Sequence, residues 1–314
     1  MAEVVTIGEI LVEIMATRVG QTFLEPGLFA GPYPSGAPAI FADQAARLGA
    51  STAMIGCVGD DDFGTLNIER LRTSGADVGA IRRVPGTTTS IAFVTYRHDG
   101  GRDFIFTIAS SAASELRAEQ LDPATFAGCR YFQVMGSSLF SPEIAAAVRR
   151  SVDLAKAAGA KVSFDPNIRK ELLALPEVEA TIDAITRISD LLLPSQADLA
   201  HLCPGMAEDE AAGSLLAAGR EMVLLKRGAQ GSVYYDASRR IETPAFAATE
   251  VDPTGAGDCF GGTFVACMAL GVPIERALLL ANAAGALAVG KKGPMEGNST
   301  MAELDRFLAD QAAA

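Results

Sequence analysis

The sequence predicts an α/β protein with a doubly wound, mostly parallel sheet and a small β-hairpin lid. Short runs rich in β-branched and other apolar residues alternate with helical patterns through much of the chain. Prolines and glycines stand where such helices would begin and end. Alternation of this kind requires crossover connections between parallel strands, and the crossovers cover both faces of the sheet with helices.

Six short apolar runs are predicted to be buried strands, and helical stretches lie between them. Pro38 and Pro142 suit first helical turns, whereas Gly49, Gly75 and Gly159 suit the ends of helices. The last third of the chain, from residue 257 to 307, is predicted to be mainly helical. The predicted strands are residues 4–8, 52–58, 131–135, 161–165, 190–193 and 222–226, and the predicted helices include 39–48, 63–73, 142–158 and 179–188.

Two segments interrupt this alternation. Residues 10–35 are rich in glycine and proline, and residues 87–108 have the pattern of two strands around a turn at Asp99 and Gly100. Such an insertion could extend the sheet edge, form a dimer contact or cover a ligand. Ligands of α/β sheets bind beyond the carboxyl ends of the strands, so we predict a lid, with or without a role in a dimer. Both lid segments would be inserted into one domain covering residues 1–314.

Composition excludes several classes of function. The chain has 314 residues, 49% of them hydrophobic, and a net charge of −12, which disfavours nucleic-acid binding. It contains no apolar run of about 18 residues, so we expect no membrane span. No basic stretch precedes the first strand, so we expect no signal peptide. Five cysteines without a CxxC pair and two distant histidines give little basis for a zinc site, and they suggest reduced thiols in a cytoplasmic protein.

The strongest local signal is the string D-P-T-G-A-G-D at residues 252–258, which leads into a helical run. Small residues at Gly255, Ala256 and Gly257 allow successive backbone N–H groups to converge on an anion at the start of that helix. Asp258 could accept a proton from a hydroxyl group while these amides hold the phosphoryl oxygens. An aspartate there could also simply cap the helix.

The same string resembles the C-terminal signature of the ribokinase-like (PfkB) carbohydrate kinases. Other strings of that family follow in family order, so the resemblance covers nearly the whole chain, from near residue 8 to near residue 295. It implies transfer of a phosphoryl group from ATP to a sugar hydroxyl, with Mg²⁺ and, commonly in the family, K⁺. These strings are S-G-A-P-A (35–39), I-G-C-V-G-D-D-D-F-G (55–64), D-P-N-I-R (165–169), K-R-G-A-Q-G (226–231) and A-N-A-A-G-A (281–286).

The resemblance also implies roles for individual residues. Asp258 would be the catalytic base, and Gly255, Ala256 and Gly257 would form the anion hole. Asp198 would reach Mg²⁺ through water, and carbonyls around Asp252, Thr254 and residues 291–295 would hold the monovalent cation. Gly228 and Gly231 could also simply make a hairpin turn. Residues expected to contact ATP are Lys226, Gly228, Gly231, Gly257 and Asn282, and those expected to contact the sugar are Glu13, Gly36, Asn167, Arg169 and Asp258.

Four positions depart from the pattern of the family. Ser35 replaces the first glycine of a Gly-Gly pair, and Ile40 stands where an asparagine is usual. Asp198 replaces the glutamate of an Asn-x-x-Glu motif, and Glu13 stands where many members have aspartate. Loss of the asparagine amide at Ile40 removes a hydrogen-bonding partner for a sugar hydroxyl.

These observations predict a sugar kinase, with a neutral ketohexose of the fructose or tagatose type as acceptor and a homodimer as the assembly. Glu13 favours the neutral sugar, because a carboxylate binds hydroxyls well and repels a substrate carboxylate. The alternatives are a 2-keto-3-deoxygluconate kinase, a nucleoside kinase or a catalytically silent sugar-binding protein. Arg97, Arg102 and Arg169 could bind a sugar acid, although Arg97 and Arg102 flank the hairpin turn and we expect both to be solvated.

Overall fold

A computed structural model describes residues 1–168 and 176–313. Its strands form two sheets, and thirteen strands lie within the described residues. In chain order the strands are β1 (Val4–Ile7), β2 (Leu11–Val19), β3 (Phe29–Ser35), β4 (Thr52–Gly59), β5 (Ile81–Val84), β6 (Ser90–Tyr96), β7 (Arg102–Phe106), β8 (Tyr131–Met135), β9 (Lys161–Asp165), β10 (Leu191–Leu192), β11 (Met222–Lys226), β12 (Ser232–Tyr235) and β13 (Arg240–Thr243).

The larger sheet has the order β13-β12-β11-β10-β9-β8-β1-β4-β5. Neighbouring strands from β11 through β5 run parallel, whereas β12 and β13 form an antiparallel edge. Strands β1, β4 and β8 are buried at every residue. Burial on both faces explains why these strands appear in the sequence as continuous apolar runs.

Helices cover both faces of this sheet and create two main cores. Val5 and Ile7 pack into one core with helices α3 to α6, whereas Val4 packs into the other with α1, α7 and α8. The side chains of one strand therefore alternate between the two cores. The helices are α1 (Ala37–Arg47), α2 (Asp62–Ser74), α3 (Pro142–Ala157), α4 (Pro176–Ile188), α5 (Gln196–Leu202), α6 (Glu208–Ala217), α7 (Ala256–Ala269), α8 (Ile274–Val289) and α9 (Met301–Ala313).

The smaller sheet, called the lid sheet here, has the order β3-β2-β6-β7. Its hairpin β6–β7 was predicted, but β2 and β3 were not recognised as strands within the glycine- and proline-rich segment 10–35. In the register of the sheet, Glu13 pairs with Tyr33 and with Ala92, and Tyr96 pairs with Arg102. Because directly paired residues point to the same side and alternate residues share a face, Glu13, Tyr33, Tyr96 and Arg102 lie on one face.

The predicted fold class is confirmed. The predicted strands and helices are all present, with bounds shifted by a few residues at most. Gly75 ends α2 in the left-handed conformation, and Pro142 opens α3 as predicted. Within the described residues, no helix is long and apolar enough to cross a membrane.

Candidate active site

The predicted base lies at the start of α7, at the carboxyl end of the parallel sheet. Gly255 precedes the helix with φ +78°, and a Cβ atom there would lie 2.6 Å from the carbonyl oxygen of Pro294. Only glycine tolerates both the backbone conformation and this close approach. Asp258 therefore occupies the first turn of α7, two residues after its first residue, and it is nearly buried. It is the third residue of the helix, and Gly255 is the N-cap residue.

Asn167 holds the carboxylate of Asp258 from the neighbouring strand end. Its Nδ2 donates a hydrogen bond to Asp258 Oδ1 at 3.2 Å. The backbone N–H of Asn167 donates to Asp165 Oδ1, also at 3.2 Å. The sequence assigned Asn167 to the sugar, and this contact stays a prediction; the structure shows Asn167 bonded to the predicted base. Arg169, the other sugar ligand expected from this segment, lies outside the described residues.

Lys226 brings a buried positive charge to the same place. Its ammonium group forms an ion pair with Asp165, and it lies 3.6 Å from the position that a Cβ atom on Gly257 would occupy. Burial alone would lower the pKa of Lys226, but the charges of Asp165, Asp198 and Asp258 raise it above its ordinary value. The ammonium group therefore stays charged, beside the amides at the start of α7. This charge makes the local field favourable for a phosphate in an otherwise acidic protein.

Asp198 anchors the loop that carries Asn167. Its Oδ2 accepts hydrogen bonds from the Ser195 N–H at 2.8 Å and from the Ser195 hydroxyl at 2.6 Å, which closes a capping box at the start of α5. Its Oδ1 accepts from the Ile168 N–H at 2.9 Å. Both oxygens of Asp198 are thus already engaged, so contact with a metal through water is more compatible with these bonds than direct coordination.

The five residues predicted to contact ATP line a single cavity of about 650 Å³. Much of its wall consists of small or apolar residues. The segment 245–248 in this wall was not predicted from the sequence, because it shows no periodic pattern. Its Ala-rich composition was the signal that could have identified it. The lining includes Lys226, Gly228, Gly231, Gly257 and Asn282, together with Ala245, Phe246, Ala247, Ala248, Glu250, Phe260 and Gly285.

Asn282 is oriented within this cavity. Its Nδ2 donates to the Ser232 hydroxyl at 2.8 Å and to the Leu278 carbonyl at 2.9 Å. With both amide protons used, the carbonyl oxygen is the atom of this side chain that can accept a hydrogen bond from a ligand. Gly231 has φ +89°, and a Cβ atom there would lie 2.1 Å from the Thr243 carbonyl oxygen. The hairpin between β11 and β12 therefore also requires glycine at this position.

Glu13 lies on β2 of the lid sheet, and Gly36 lies between the end of β3 and the start of α1. Glu13 is buried, and its Oε1 accepts a hydrogen bond from the Ser35 hydroxyl at 2.9 Å. Ser35, one of the departures from the family, is thus a partner of the predicted sugar ligand. Gly36 has φ +110°, and a Cβ atom there would lie 2.5 Å from the Glu9 carbonyl oxygen. The structure therefore requires glycine at this turn.

Loops 252–254 and 291–295 are joined by Asp252. Its Oδ1 accepts from the Thr254 N–H at 3.1 Å, and its Oδ2 accepts from the Gly293 N–H at 3.0 Å. Ile40 packs beneath the same region, since its Cδ1 lies 3.1 Å from the position of a Cβ atom on Gly255. The residue that replaces the family's asparagine is thus buried and used for apolar packing.

The expectation that Arg102 is solvated was wrong. Its Nη1 donates a hydrogen bond to the Thr254 hydroxyl at 2.7 Å, directly before the predicted anion hole. Tyr96, on the same face of the lid sheet, has a buried hydroxyl without a hydrogen-bond partner. Burial, followed by the nearby charges of Asp252 and Glu13, raises the pKa of Tyr96 above its ordinary value. The sequence gave no signal for the contact of Arg102 with Thr254, because it joins segments far apart in the chain.

A second group of contacts that was not predicted from the sequence joins the carboxylate of Glu9 to the hydroxyls of Ser137 and Ser138. Ser137 Oγ donates to Glu9 Oε1 at 3.0 Å, and Ser138 Oγ donates to Oε2 at 2.5 Å. All three residues are buried at the ends of β1 and β8. Glu9 lies four residues before Glu13, and acidic residues directly after the first strand were the signal that could have identified it.

A glycine-lined helix start with a buried carboxylate, a fixed ammonium group and an adjacent nucleotide-sized cavity together define a phosphoryl-transferring enzyme for small molecules. Residues 1–301 match the family described as pfkB family carbohydrate kinase. The chain belongs to this family and is an ATP-dependent carbohydrate kinase, a phosphotransferase with an alcohol group as acceptor.

Individual relatives agree with this assignment. Fructokinase-1 of Oryza sativa subsp. japonica is 33% identical over 97% of each chain. An E. coli protein provisionally called ribokinase II, solved with ATP and Mg²⁺, is 47% identical with a TM-score of 0.94, over 99% of this chain and all of that one. Fructokinase from Vibrio cholerae O395, solved with fructose, ADP and calcium, is 26% identical with a TM-score of 0.86, over 98% of this chain and 99% of that one. A double mutant of the Vibrio enzyme was solved with fructose, ADP and potassium.

Proposed function

We propose that this kinase transfers the γ-phosphoryl group of ATP to a hydroxyl of a neutral ketohexose of the fructose or tagatose type. The observation that carries the proposal is Glu13, a buried carboxylate on the lid-sheet face that also carries Tyr96 and Arg102. A carboxylate can accept hydrogen bonds from two vicinal sugar hydroxyls, and it would repel a substrate carboxylate. The fructokinase names of several relatives support the same acceptor.

In this proposal Asp258 removes the proton of the attacking hydroxyl, and Asn167 keeps its carboxylate in place. The backbone amides of residues 255–257 and the ammonium group of Lys226 stabilise the charge of the transferring phosphoryl group. The carboxylates of Asp165, Asp198 and Asp258 lie near the ammonium group of Lys226. Such carboxylates suit Mg²⁺, which binds phosphates and waters with few protein ligands. When bound, Mg²⁺ neutralises charge on the phosphates, and Asp198 would contact it through water.

The cavity beside these residues would hold ATP, with Gly228 and Gly231 against the nucleotide and the Asn282 carbonyl oxygen available to the adenine amino group. Carbonyls around Asp252, Thr254 and residues 291–295 would bind a monovalent cation such as K⁺. We also propose that the enzyme works in the cytoplasm as a homodimer. Its five cysteines are buried free thiols, which suits a reducing compartment.

A 2-keto-3-deoxy sugar acid is the second candidate acceptor. One observation favours it: the guanidinium of Arg102 is directed at Thr254 beside the anion hole, and only one of its N–H groups is accounted for by that bond. Arginine binds carboxylates in a bidentate manner. Glu13 and Asp252 on the same side oppose an acidic substrate, which is why we favour the neutral sugar.

The test is kcat/KM for fructose and tagatose against 2-keto-3-deoxygluconate under saturating Mg-ATP, with nucleosides in the same coupled ADP-release assay. We expect a ketohexose to have the highest value. A tenfold advantage of the acid, about 1.4 kcal/mol of transition-state preference, would show that the Glu13 argument is wrong. No sugar-dependent ADP release from any acceptor, with ATP still bound, would indicate a silent binding protein instead.

A further inference from the structure

The lid sheet makes a side-chain hydrogen bond to the catalytic loop through Arg102. This residue opens β7, and its Nη1 donates to Thr254 Oγ1 at 2.7 Å across 152 positions of sequence. Its guanidinium also lies over the ring of Phe104, at 5.6 Å from the ring centroid. The ring contact restricts the side chain, so less conformational entropy is lost when the hydrogen bond forms.

Arg97, across the same hairpin turn, behaves differently. It is 48% exposed and donates to Asp99 at 3.2 Å and to Asp103 at 2.6 Å, both within the hairpin. Two arginines in the same turn thus have different partners, one inside the hairpin and one in the catalytic loop. Arg97 stabilises the turn, whereas Arg102 connects the lid to another part of the molecule.

Thr254 connects this contact to the phosphoryl site. Its backbone N–H donates to Asp252 Oδ1 at 3.1 Å, and the next residue is Gly255, whose left-handed conformation starts α7. A bond to the Thr254 side chain therefore restrains the residue from which the anion hole begins. On the lid side, Tyr96 pairs directly with Arg102 and lies close to the charges of Asp252 and Glu13.

We propose that Arg102 is a positioning residue that fastens the closed lid sheet to the catalytic loop through Thr254, so that phosphoryl transfer occurs only when the acceptor pocket is shut. The inference rests on the proposed role of residues 255–257, but it applies to whichever sugar is the acceptor. Closure excludes water from the pocket. With the bond absent, a water oxygen attacks the γ-phosphorus as the bond to ADP breaks, giving ADP, phosphate and a proton instead of ADP and sugar phosphate.

The experiment measures ADP and sugar phosphate separately for Arg102→Ala, Arg102→Lys and Thr254→Val, with the acceptor that gives the highest kcat/KM. For Arg102→Ala we expect kcat/KM for the sugar to fall roughly 10- to 100-fold, the value of a charged hydrogen bond, with KM for ATP nearly unchanged. The fraction of ADP released without sugar phosphate should rise several-fold. Arg102→Lys should restore part of the coupling, because its ammonium group can still donate to Thr254.

Arg97→Ala is the matched control, and it should leave both kcat/KM and the coupling ratio close to those of the parent protein. The double variant of Arg102→Ala with Thr254→Val should lose little more than either single variant, because both remove the same bond. Complete coupling in Arg102→Ala, equal losses in Arg97→Ala, or additive losses in the double variant would each overturn the proposal. A loss confined to a sugar acid would instead assign Arg102 to substrate binding. Failure of every ketohexose in the parent protein would contradict the proposed acceptor without affecting this coupling test.

Discussion

Asn167 is a polar residue whose backbone adopts an uncommon conformation. Among the described residues it is the non-glycine residue with positive φ, at +37°. Asparagine tolerates the left-handed region better than most residues, but the conformation still has a cost that its surroundings must offset. Bonds from its own N–H to Asp165 and from the next N–H to Asp198 provide that compensation. The result is an amide directed at Asp258, so the strained residue positions the predicted base.

The first residue-scale prediction concerns Asp258→Asn. The amide has nearly the same shape but cannot accept the hydroxyl proton as a carboxylate does, so turnover should fall by roughly 100-fold or more. Folding and ATP binding should be preserved, because the Asn282 side of the cavity is unchanged. Steady-state kinetics, calorimetric titration with ATP and a thermal melt test these points together. Near-normal turnover in a folded, ATP-binding variant would remove Asp258 from the role of base.

At this scale, the sequence predicted which side chains lie near a helix end or strand end better than it predicted which residues they contact. The string at residues 252–258 predicted where Asp258 would lie, because a glycine-rich turn before a helix restricts the backbone locally. Whether Arg97 or Arg102 would leave the hairpin depends on a contact with Thr254 that no local pattern records. Residue roles at the site, including those of Lys226 and Asp198, stay predictions.

At the scale of elements, buried polar side chains of α1 hold loop 293–299 behind residues 255–257. Asp43 of α1 is fully buried and forms an ion pair with Arg70 of α2, at 2.8 Å between Nε and Oδ1. Arg70 Nη2 donates to the Met295 carbonyl at 2.5 Å, and Asn298 Nδ2 donates to Asp43 Oδ2 at 2.8 Å. Since the Pro294 carbonyl lies against Gly255, this network supports one side of the predicted anion hole.

Arg70→Met tests that network. Methionine keeps the apolar part of the side chain but leaves the buried Asp43 carboxylate with less compensation, so we expect the free energy of unfolding to fall by about 3 kcal/mol. Loss of the bond to Met295 should also lower kcat, because loop 293–299 is released. Denaturant titration measures the first effect and steady-state kinetics the second.

Arg72→Met, on the same helix, is the control for this change. Arg72 pairs with Glu69 at the surface, where both side chains are more than half exposed, so its loss should cost about 0.5 kcal/mol or less. Equal effects of the two substitutions would mean that the buried pair has no special role.

The lid shows why element-level prediction was incomplete. Apolar residues in β2 were present, but glycine and proline around them indicated irregular structure, and β3 itself contains two prolines. Strand β2 is stabilised by pairing with β6, a partner far along the chain, and β3 pairs with β2. Asp61, from the acidic string 55–64, joins the lid to the body: it caps α2 through the Gly64 N–H and accepts from the Thr89 N–H at 2.7 Å. The resemblance gave that string no physical role.

For the whole molecule, the predicted architecture was confirmed because it depends on patterns repeated along the chain. Each buried strand followed by a helix requires another parallel strand beside it, so a few residues of error in a boundary do not change the topology. The acceptor pocket depends instead on how the lid sheet sits over the main sheet. The contacts that place it, such as Arg102 with Thr254 and Tyr33 against Gly293, join single residues at long range.

The outer face of the lid sheet leads to a prediction for the whole molecule: the protein forms a homodimer. Arg102 faces residues 252–254. Ile105 lies three residues further along β7, so Ile105 and its paired residue Phe93 point to the opposite side of the sheet. Ile105 is 49% exposed, and Leu24 and Leu28 in the β2–β3 connection are 95% and 76% exposed. Exposed apolar residues grouped in the lid segments favour an interaction surface there.

We therefore expect a dimer in sedimentation equilibrium and light scattering at micromolar concentration, and Ile105→Glu should shift it to monomer by burying a charge in the interface. Met206→Glu is the control: Met206 is 43% exposed in the connection between α5 and α6, which pack on β11 of the larger sheet, and the variant should leave the dimer intact. Ile105 points away from the pocket, so the monomeric variant should keep measurable sugar kinase activity, with its largest change in KM for the sugar. A parent protein that is monomeric at these concentrations, or a Met206→Glu variant that dissociates equally, would show that the lid face is not the interface.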